Sequence, residues 1–224
     1  MEHIGYIQSD FKEKFGIPRQ SGRTGLLSRV VFYPKFRNPE ALRGIENFSH
    51  LWLIFDFSKA HKTEFSPTVR PPRLGGNERV GVFASRSPFR PNPIGLSCVK
   101  LVRVEKHPEH GLTLLVSGAD LLDGTPLFDI KPYIPYADCQ TDAVGSYADM
   151  HQNDKLKVIF QEGLLDKIPA EKRAGLTECL ADDPRPSYQD DPNRVYGMRF
   201  AEFNLKFKVA NGVLTVEEIE TLGS

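Results

Sequence analysis

The sequence has little cysteine, no excess of charge of either sign and no long apolar run. Its three cysteines, Cys98, Cys139 and Cys179, lie far apart and form no CxxC pair, which argues against a disulfide framework or a metal site. We therefore expect a reducing, cytoplasmic environment and no metal. The 29 basic side chains balance the 29 acidic ones, so any nucleic-acid binding must use a local patch.

Two further absences narrow the class of protein. The residues after Met1 contain no apolar signal core, and no apolar run approaches the length of a membrane span, so we expect no membrane partner. The sequence has no GxGxxG fingerprint and no P-loop, which argues against a dinucleotide-binding sheet or a P-loop nucleotide site.

Short strand-like segments dominate residues 1–136. They lie at 4–9, 29–36, 50–57, 80–84, 96–105, 112–118 and 128–135. Such closely spaced strands with little helix between them predict an antiparallel barrel or sandwich. One short helix is expected over 39–45, because Asn38 is a good N-cap and Pro39 suits the first helical position.

A polar stretch over 137–155 is the best candidate for a linker. It divides the chain into a β domain at 1–136 and a small α+β domain at 156–224. The elements predicted for the tail are a strand at 157–160, a helix within 163–180 that Pro169 opens or breaks, a strand at 203–209, and a type I′ turn at Asn211-Gly212 into a strand at 213–219.

The segment 81–95 has the most unusual composition of any stretch in the sequence. It holds Arg86 and Arg90 among three prolines, each of which fixes its own φ and pushes the preceding residue out of the α region. The segment is therefore a stiff, extended loop between two predicted strands. Such a loop is typical of an anion or ligand clamp; a rigid turn with solvated arginines is the alternative.

The chain over 62–90 carries six basic side chains against two acidic ones, a local surplus in a neutral protein. Arginines on stiff backbone present guanidinium forks already oriented for oxyanions, so the segment predicts a groove for phosphates. A solvated face is the alternative. The candidate phosphate ligands are Arg70, Arg73, Arg79 and Arg90.

Three ordered motifs match a known family. They are Arg73-Leu-Gly-Gly76, Phe83-Ala-Ser-Arg-Ser-Pro-Phe-Arg-Pro-Asn-Pro-Ile-Gly95, and Asp120-Leu-Leu-Asp-Gly-Thr-Pro126 followed by Asp129-Ile-Lys-Pro-Tyr133. With Asp183-Pro-Arg-Pro-Ser-Tyr188 and Phe203-Asn204 in the tail, the match covers nearly the whole chain. The sequence resembles the TsaA-like (YaeB) family, whose two-domain bacterial members are tRNA N6-methyltransferases.

The resemblance implies a single antiparallel β-barrel, a homodimer and S-adenosylmethionine as cofactor. The implied substrate is N6-threonylcarbamoyladenosine beside the tRNA anticodon, at position 37, which gains an N6-methyl group. The residues matched to the family's cofactor pocket are Gln20, Ser21, Gly22, Ser58, Lys59, Arg86, Leu96, Leu127, Phe128, Asp129 and Ile130. Ser58-Lys59 departs from the His-Gln pair of close relatives, so backbone rather than side-chain contacts are expected there.

The implied chemistry is an in-line displacement at a sulfonium methyl, in which positioning supplies most of the acceleration. The acceptor nitrogen has a poor lone pair and a more acidic N–H, so a nearby base helps. Asp129 is the candidate proton acceptor; a hydrogen bond from Asp129 to a neighbouring loop or to the adenosyl moiety is the alternative. Arg86 does not titrate in range and is expected to pair with cofactor or phosphate.

The tail and the overall function each leave an alternative open. Arg185 and Tyr188 are predicted to offer a guanidinium and an aromatic face to the anticodon loop, and a turn that packs the tail onto the barrel is the alternative. A non-catalytic RNA- or nucleotide-binding barrel is the second hypothesis for the whole protein. The Arg86 loop and the Asp129 strand favour the enzyme.

Overall fold

The computed structural model describes residues 1–71, 78–150, 154–186, 189 and 191–223. Arg73 and Tyr188, two of the predicted substrate contacts, lie outside these described residues, as does the whole of the motif at 73–76. Within the described ranges the chain forms twelve strands and three α-helices, with six of the strands in one large antiparallel sheet. The prediction of a mainly β protein is confirmed.

Six strands form the large sheet. They are β1 (Gly5–Gln8), β2 (Leu27–Phe32), β3 (His50–Asp56), β6 (Ile94–His107), β7 (Gly111–Ser117) and β8 (Pro126–Pro132). Every pairing is antiparallel, in the order β1, β2, β7, β6, β3, β8, and β8 pairs back with β1, so each strand has two neighbours. Two short strands, β4 (Thr68–Val69) and β5 (Val80–Gly81), pair with each other outside this sheet.

The interior of the six-stranded sheet is filled by alternate side chains of its strands. On β3, Leu51 and Leu53 are fully buried and Phe55 nearly so, while the residues between them are only partly buried. Ile7 and Leu127 from the neighbouring elements complete the same core. This alternation, with a period of two, places one face of each strand inside.

Two predicted elements of this half take a different form. Residues 80–84 were expected to be a buried strand, but pairing stops after Gly81 and Val82–Ala84 is a 3-10 turn with Phe83 75% exposed. The amide of Val82 still donates to the Pro67 carbonyl beside β4, but the amide of Ser85 then closes a turn onto the Val82 carbonyl, which ends the extended conformation. The helix expected at 39–45 is a 3-10 turn, Pro39–Leu42, capped as predicted by the Asn38 side chain.

The tail forms a second sheet against one helix. Its elements are β9 (Lys157–Phe160), β10 (Tyr196–Phe200), β11 (Phe203–Ala210) and β12 (Val213–Thr221), with α3 (Ala170–Ala181); the short helices α1 (Pro135–Asp138) and α2 (Tyr147–Met150) precede them. The sheet order is β10, β11, β12, β9, with β9 parallel to β12. Asn211 and Gly212 have positive φ, as a type I′ turn requires.

The segment between β1 and β2 joins the two halves of the molecule. Phe11 and Leu26 are buried in the core of the tail rather than in that of the six-stranded sheet. Arg23 forms a salt bridge of 2.7 Å with Asp182, just beyond α3. A Cβ on Gly175 would lie 2.4 Å from Leu26, so only glycine lets α3 approach this closely. Within the described part of the chain, no helix is long and apolar enough to cross a membrane.

Candidate cofactor site

A cavity of about 630 Å³ opens where the end of β3 meets the central proline-rich loop. Four regions distant in sequence line it, at 14–20, 55–60, 86–97 and 120–125. Phe55, Phe57 and Leu96 supply apolar wall, and the charged side chains come from the loops. The volume lies within the range of small-molecule sites in proteins.

The central loop is fixed by its own hydrogen bonds as well as by its prolines. The Arg90 guanidinium donates to the Ser85 carbonyl at 3.1 Å, which folds the loop on itself. The amide of Phe57 donates to the Pro93 carbonyl at 2.8 Å, which fastens the loop to the end of β3. The stiffness expected from sequence is therefore reinforced by contacts at both ends of the loop.

Arg86 links two of the predicted cofactor segments across the cavity. Its Nη1 donates to Oε1 of Gln20 at 2.6 Å, although the two residues lie 66 positions apart. Both side chains line the cavity, together with Ser58, Lys59 and Leu96 from the predicted set. Arg86 is exposed, so the rest of its guanidinium is available to an anion.

Asp120 places a largely buried carboxylate on the wall of the cavity. The Ser97 hydroxyl donates to its Oδ1 at 2.5 Å. Burial raises the pKa of the Asp120 carboxyl above its ordinary value, against the opposing effects of the Ser97 hydrogen bond and the positive charge of Arg86. Asp120 follows Gly118, whose φ of +84° lets the chain turn out of β7.

Asp56, the last residue of β3, is the second carboxylate on the cavity wall. It is 6% exposed and its Oδ1 lies 2.6 Å from Nε2 of His61. Nε2 of His3 lies 3.4 Å from the other oxygen. Asp56 is therefore already engaged by imidazole groups, unlike Asp120.

The remaining predicted cofactor residues lie away from the cavity lining. Ser21 and Gly22 follow Gln20, and the amide of Gly22 donates to the Gly118 carbonyl. On β8, the Leu127 side chain is fully buried in the sheet core and Ile130 packs against the same core. Phe128 stacks on His3, with ring centroids 4.7 Å apart.

Asp129, the predicted proton acceptor, faces outward from β8. Its carboxylate forms an ion pair of 3.1 Å with Lys131 and accepts a hydrogen bond from the amide of Ile130. Its side chain is 49% exposed. The cavity lining does not include it.

The predicted substrate residues are dispersed. Arg90 lines the cavity, whereas Arg70 and Arg79 are exposed on or beside the β4–β5 ribbon, where Arg79 donates to the Thr68 hydroxyl at 2.7 Å. The Arg185 side chain is only 11% exposed and makes two hydrogen bonds of 2.9 Å with the carboxylate of Asp183. This pairing favours the alternative of a packing turn for Arg185.

A second hollow, of about 650 Å³, lies by the 39–48 segment and the far half of β6. None of the predicted site residues lines it. No group of three or more His, Cys, Asp or Glu side chains that could hold a metal occurs among the described residues.

Comparison with known proteins matches both halves of the chain. Residues 6–139 match the tRNA-methyltransferase O N-terminal domain and residues 153–222 match the TrmO C-terminal domain. The chain belongs to the TrmO family. It is 41% identical over 231 residues to the tRNA (adenine(37)-N6)-methyltransferase of Escherichia coli K12, covering 98% of this chain and 97% of that protein.

Two further TrmO-family relatives cover most of the chain. A Pseudomonas aeruginosa protein, RcsF, whose name assigns it S-adenosylmethionine-dependent methyl transfer, is 42% identical over 215 residues, covering 90% of this chain and 89% of that one. The crystal structure of TrmO from Pseudomonas aeruginosa superimposes with a TM-score of 0.77 at 34% identity, covering 97% of each chain.

Two polar residues of the cavity lining, Ser97 and Asp120, are absent from the set that the sequence predicts. Asp120 begins the quoted motif at 120–126, so the motif itself marked the region. The position of the Asp120 side chain is not predictable, because nothing in the sequence shows that the motif folds back beside Ser97 on β6. That contact depends on the closure of strands far apart in the chain.

Proposed function

We propose that this protein is an S-adenosylmethionine-dependent methyltransferase that acts on N6 of the adenosine at tRNA position 37, in the form of N6-threonylcarbamoyladenosine. The relatives named above match nearly the whole chain. Their names describe a tRNA (adenine(37)-N6)-methyltransferase and an S-adenosylmethionine-dependent methyltransferase. The observation in the structure that carries the proposal is the Arg86–Gln20 bond, which brings two predicted cofactor segments to one cavity.

The residues of the cavity fit the cofactor. Phe57 and Leu96 offer apolar surface to an adenine ring, while Arg86 offers a guanidinium to a carboxylate. When bound, S-adenosylmethionine supplies an electrophilic methyl group on a sulfonium. The contribution of this chain is to hold and orient both partners, because in-line displacement depends mainly on alignment.

The finer architecture belongs to the same proposal. The cycle of pairings from β1 to β8 and back supports a single antiparallel β-barrel as the methyltransferase domain, at 1–136, followed by a linker at 137–155 and the α+β domain at 156–224. We propose a homodimer in the cytoplasm. The stacked rings of Phe65 and Phe83, 56% and 75% exposed, are apolar surface that a second copy can cover.

Asp129 stays a prediction as the proton acceptor. Its carboxylate is paired with Lys131 on the outer side of β8, so the role requires the substrate base to approach from that side. Ser21, Gly22 and the residues 127–130 also stay predicted cofactor contacts.

Replacing Arg86 by Ala will weaken S-adenosylmethionine binding about 10- to 100-fold. The change removes a charge-assisted hydrogen bond to the cofactor carboxylate, which is typically worth about 1.5–3 kcal/mol. Calorimetric titration measures the affinity, and circular dichroism checks the fold. Arg43, which is exposed, lines the second hollow and is absent from the lining of the cofactor cavity, gives the matched control Arg43→Ala. Wild-type affinity in folded Arg86→Ala protein contradicts the assignment.

The activity itself is tested with purified protein, methyl-deuterated S-adenosylmethionine and two tRNA preparations that differ only in the threonylcarbamoyl group at position 37. Mass spectrometry of the nucleosides should show a labelled methyl group only on threonylcarbamoyladenosine, and far less of it with Arg86→Ala. Cofactor binding without any labelled nucleoside supports the non-catalytic binding module instead.

Neutralising Arg70 and Arg79 together will flatten the salt dependence of tRNA affinity. Each phosphate contact contributes roughly −0.7 to −0.9 to the slope of log affinity against log salt, so the double Gln variant should lose about 1.5 of that slope. Filter binding between 50 and 200 mM salt measures it. The control, Lys100→Gln with Lys106→Gln, neutralises two exposed lysines of β6. Equal slopes for both variants would mean that the β4–β5 ribbon is a solvated face that makes no phosphate contacts.

A further inference from the structure

The two carboxylates that line the cavity differ in how many hydrogen-bond and ion-pair partners they have. Among the described residues, the lining carries several cations and two carboxylates, Asp56 and Asp120. Asp56 is engaged by His61 and lies near His3. Asp120 receives a hydrogen bond from Ser97, and no other described residue donates to its carboxylate from a side chain.

A largely buried carboxylate with one hydroxyl donor lacks a full counter-charge. Burial penalises the ionised form, and its raised pKa shows that Ser97 and Arg86 offset this only in part. A ligand with a cationic group that enters the cavity would supply the missing positive charge beside the Asp120 carboxylate. Arg86, on the same cavity, is close enough for its charge to act on Asp120.

A neighbouring guanidinium and carboxylate are complementary to one particular chemical group. An α-amino acid carries a carboxylate and an ammonium on the same carbon, so one such group can pair with both side chains at once. The apolar residues Phe57 and Leu96 also line the cavity and suit a ring rather than a charge. The lining therefore offers both charged and apolar groups to a ligand.

We propose that Asp120 binds the ammonium of the methionyl group of S-adenosylmethionine while Arg86 binds its carboxylate, so that the pair fixes which end of the cofactor occupies this part of the cavity. The proposal rests on the proposed function, since it assumes the cofactor. Ser97 is the positioning residue that orients the Asp120 carboxylate.

The test is calorimetric titration of Asp120→Asn with three ligands. S-Adenosylmethionine and S-adenosylhomocysteine both carry the amino-acid group, so both should lose about 10- to 100-fold in affinity and by similar factors. 5′-Methylthioadenosine lacks that group, and its affinity should not change. Ser97→Ala should act in the same direction with a smaller factor. The matched control, Asp142→Asn, changes an exposed aspartate in the described part of the linker.

Each other outcome overturns the assignment in a distinct way. A loss for S-adenosylmethionine alone points to contact with the sulfonium, and an equal loss for 5′-methylthioadenosine points to the ribose or base. Unchanged binding of all three ligands with a fall in turnover makes Asp120 a proton acceptor. If the wild-type protein binds none of the three, the proposed function fails; if it binds them and Asp120→Asn binds equally, only the present proposal fails.

Discussion

Ending the chain after Lys155 will abolish S-adenosylmethionine binding as well as tRNA binding. The truncation removes the tail, against which Phe11 and Leu26 are buried, and it removes Asp182, the partner of Arg23. The segment between β1 and β2 then loses its support, and this segment carries Gln20 to the cavity. Exposing each large apolar side chain costs about 1.5–3 kcal/mol, so the segment should detach.

Calorimetry with the cofactor and filter binding with tRNA measure the two losses separately. Because the truncated chain will also be less stable, a full-length variant isolates the effect on the cavity. Asp182→Asn weakens the bond to Arg23 and leaves the tail in place, so it should lower cofactor affinity by a smaller factor. Full cofactor affinity in the truncated protein, together with a loss of tRNA affinity, would contradict this expectation and support the sequence-based hypothesis that the tail helps to seat the anticodon loop.

Local patterns accounted for most of the strands and turns. The apolar run of β3, the hairpin of β6 and β7, and the Asn211-Gly212 turn each follow from residues adjacent in the chain. The failed strand at 80–84 shows the limit of such patterns. Val80, Val82 and Phe83 have strand propensity, but the short partner β4 offers only two residues to pair with, so the rest of the segment turns and exposes Phe83.

The packing of the segment between β1 and β2 against the tail was harder to predict than the individual strands and helices. The segment at 11–25 is polar on average, and its few apolar residues, Phe11, Phe15 and Ile17, gave no periodic signal. Their partners are tail residues more than a hundred positions away, so no local pattern identifies the contact. For the same reason the family motifs led to Arg86, Gln20 and Leu96, whereas the Asp120–Ser97 pair appears only once the strands are paired.

Replacing Gly95 by Ala will destabilise the protein by about 1–3 kcal/mol and lower cofactor affinity at least tenfold. Gly95 on β6 pairs with Phe55 on β3, and a Cβ at Gly95 would lie 2.1 Å from the tip of the Phe55 ring. The ring is 4% exposed and packs edge-on against Phe57, 4.9 Å away, so it has little room inside. The methyl group therefore displaces the ring and disturbs the end of β3 beside the cavity, to whose lining Phe55 and Phe57 both contribute.

Chemical denaturation and calorimetry measure the two effects, and two further variants identify their cause. Gly197→Ala is the matched control, because this strand glycine has no atom within 4 Å of a new Cβ. Combining Gly95→Ala with Phe55→Leu shortens the obstructing side chain, so stability and affinity should both recover in part, with a coupling of about 0.5–3 kcal/mol between the sites. Additive losses in the double variant would mean that the methyl group acts on the backbone of β6 and not through the Phe55 ring.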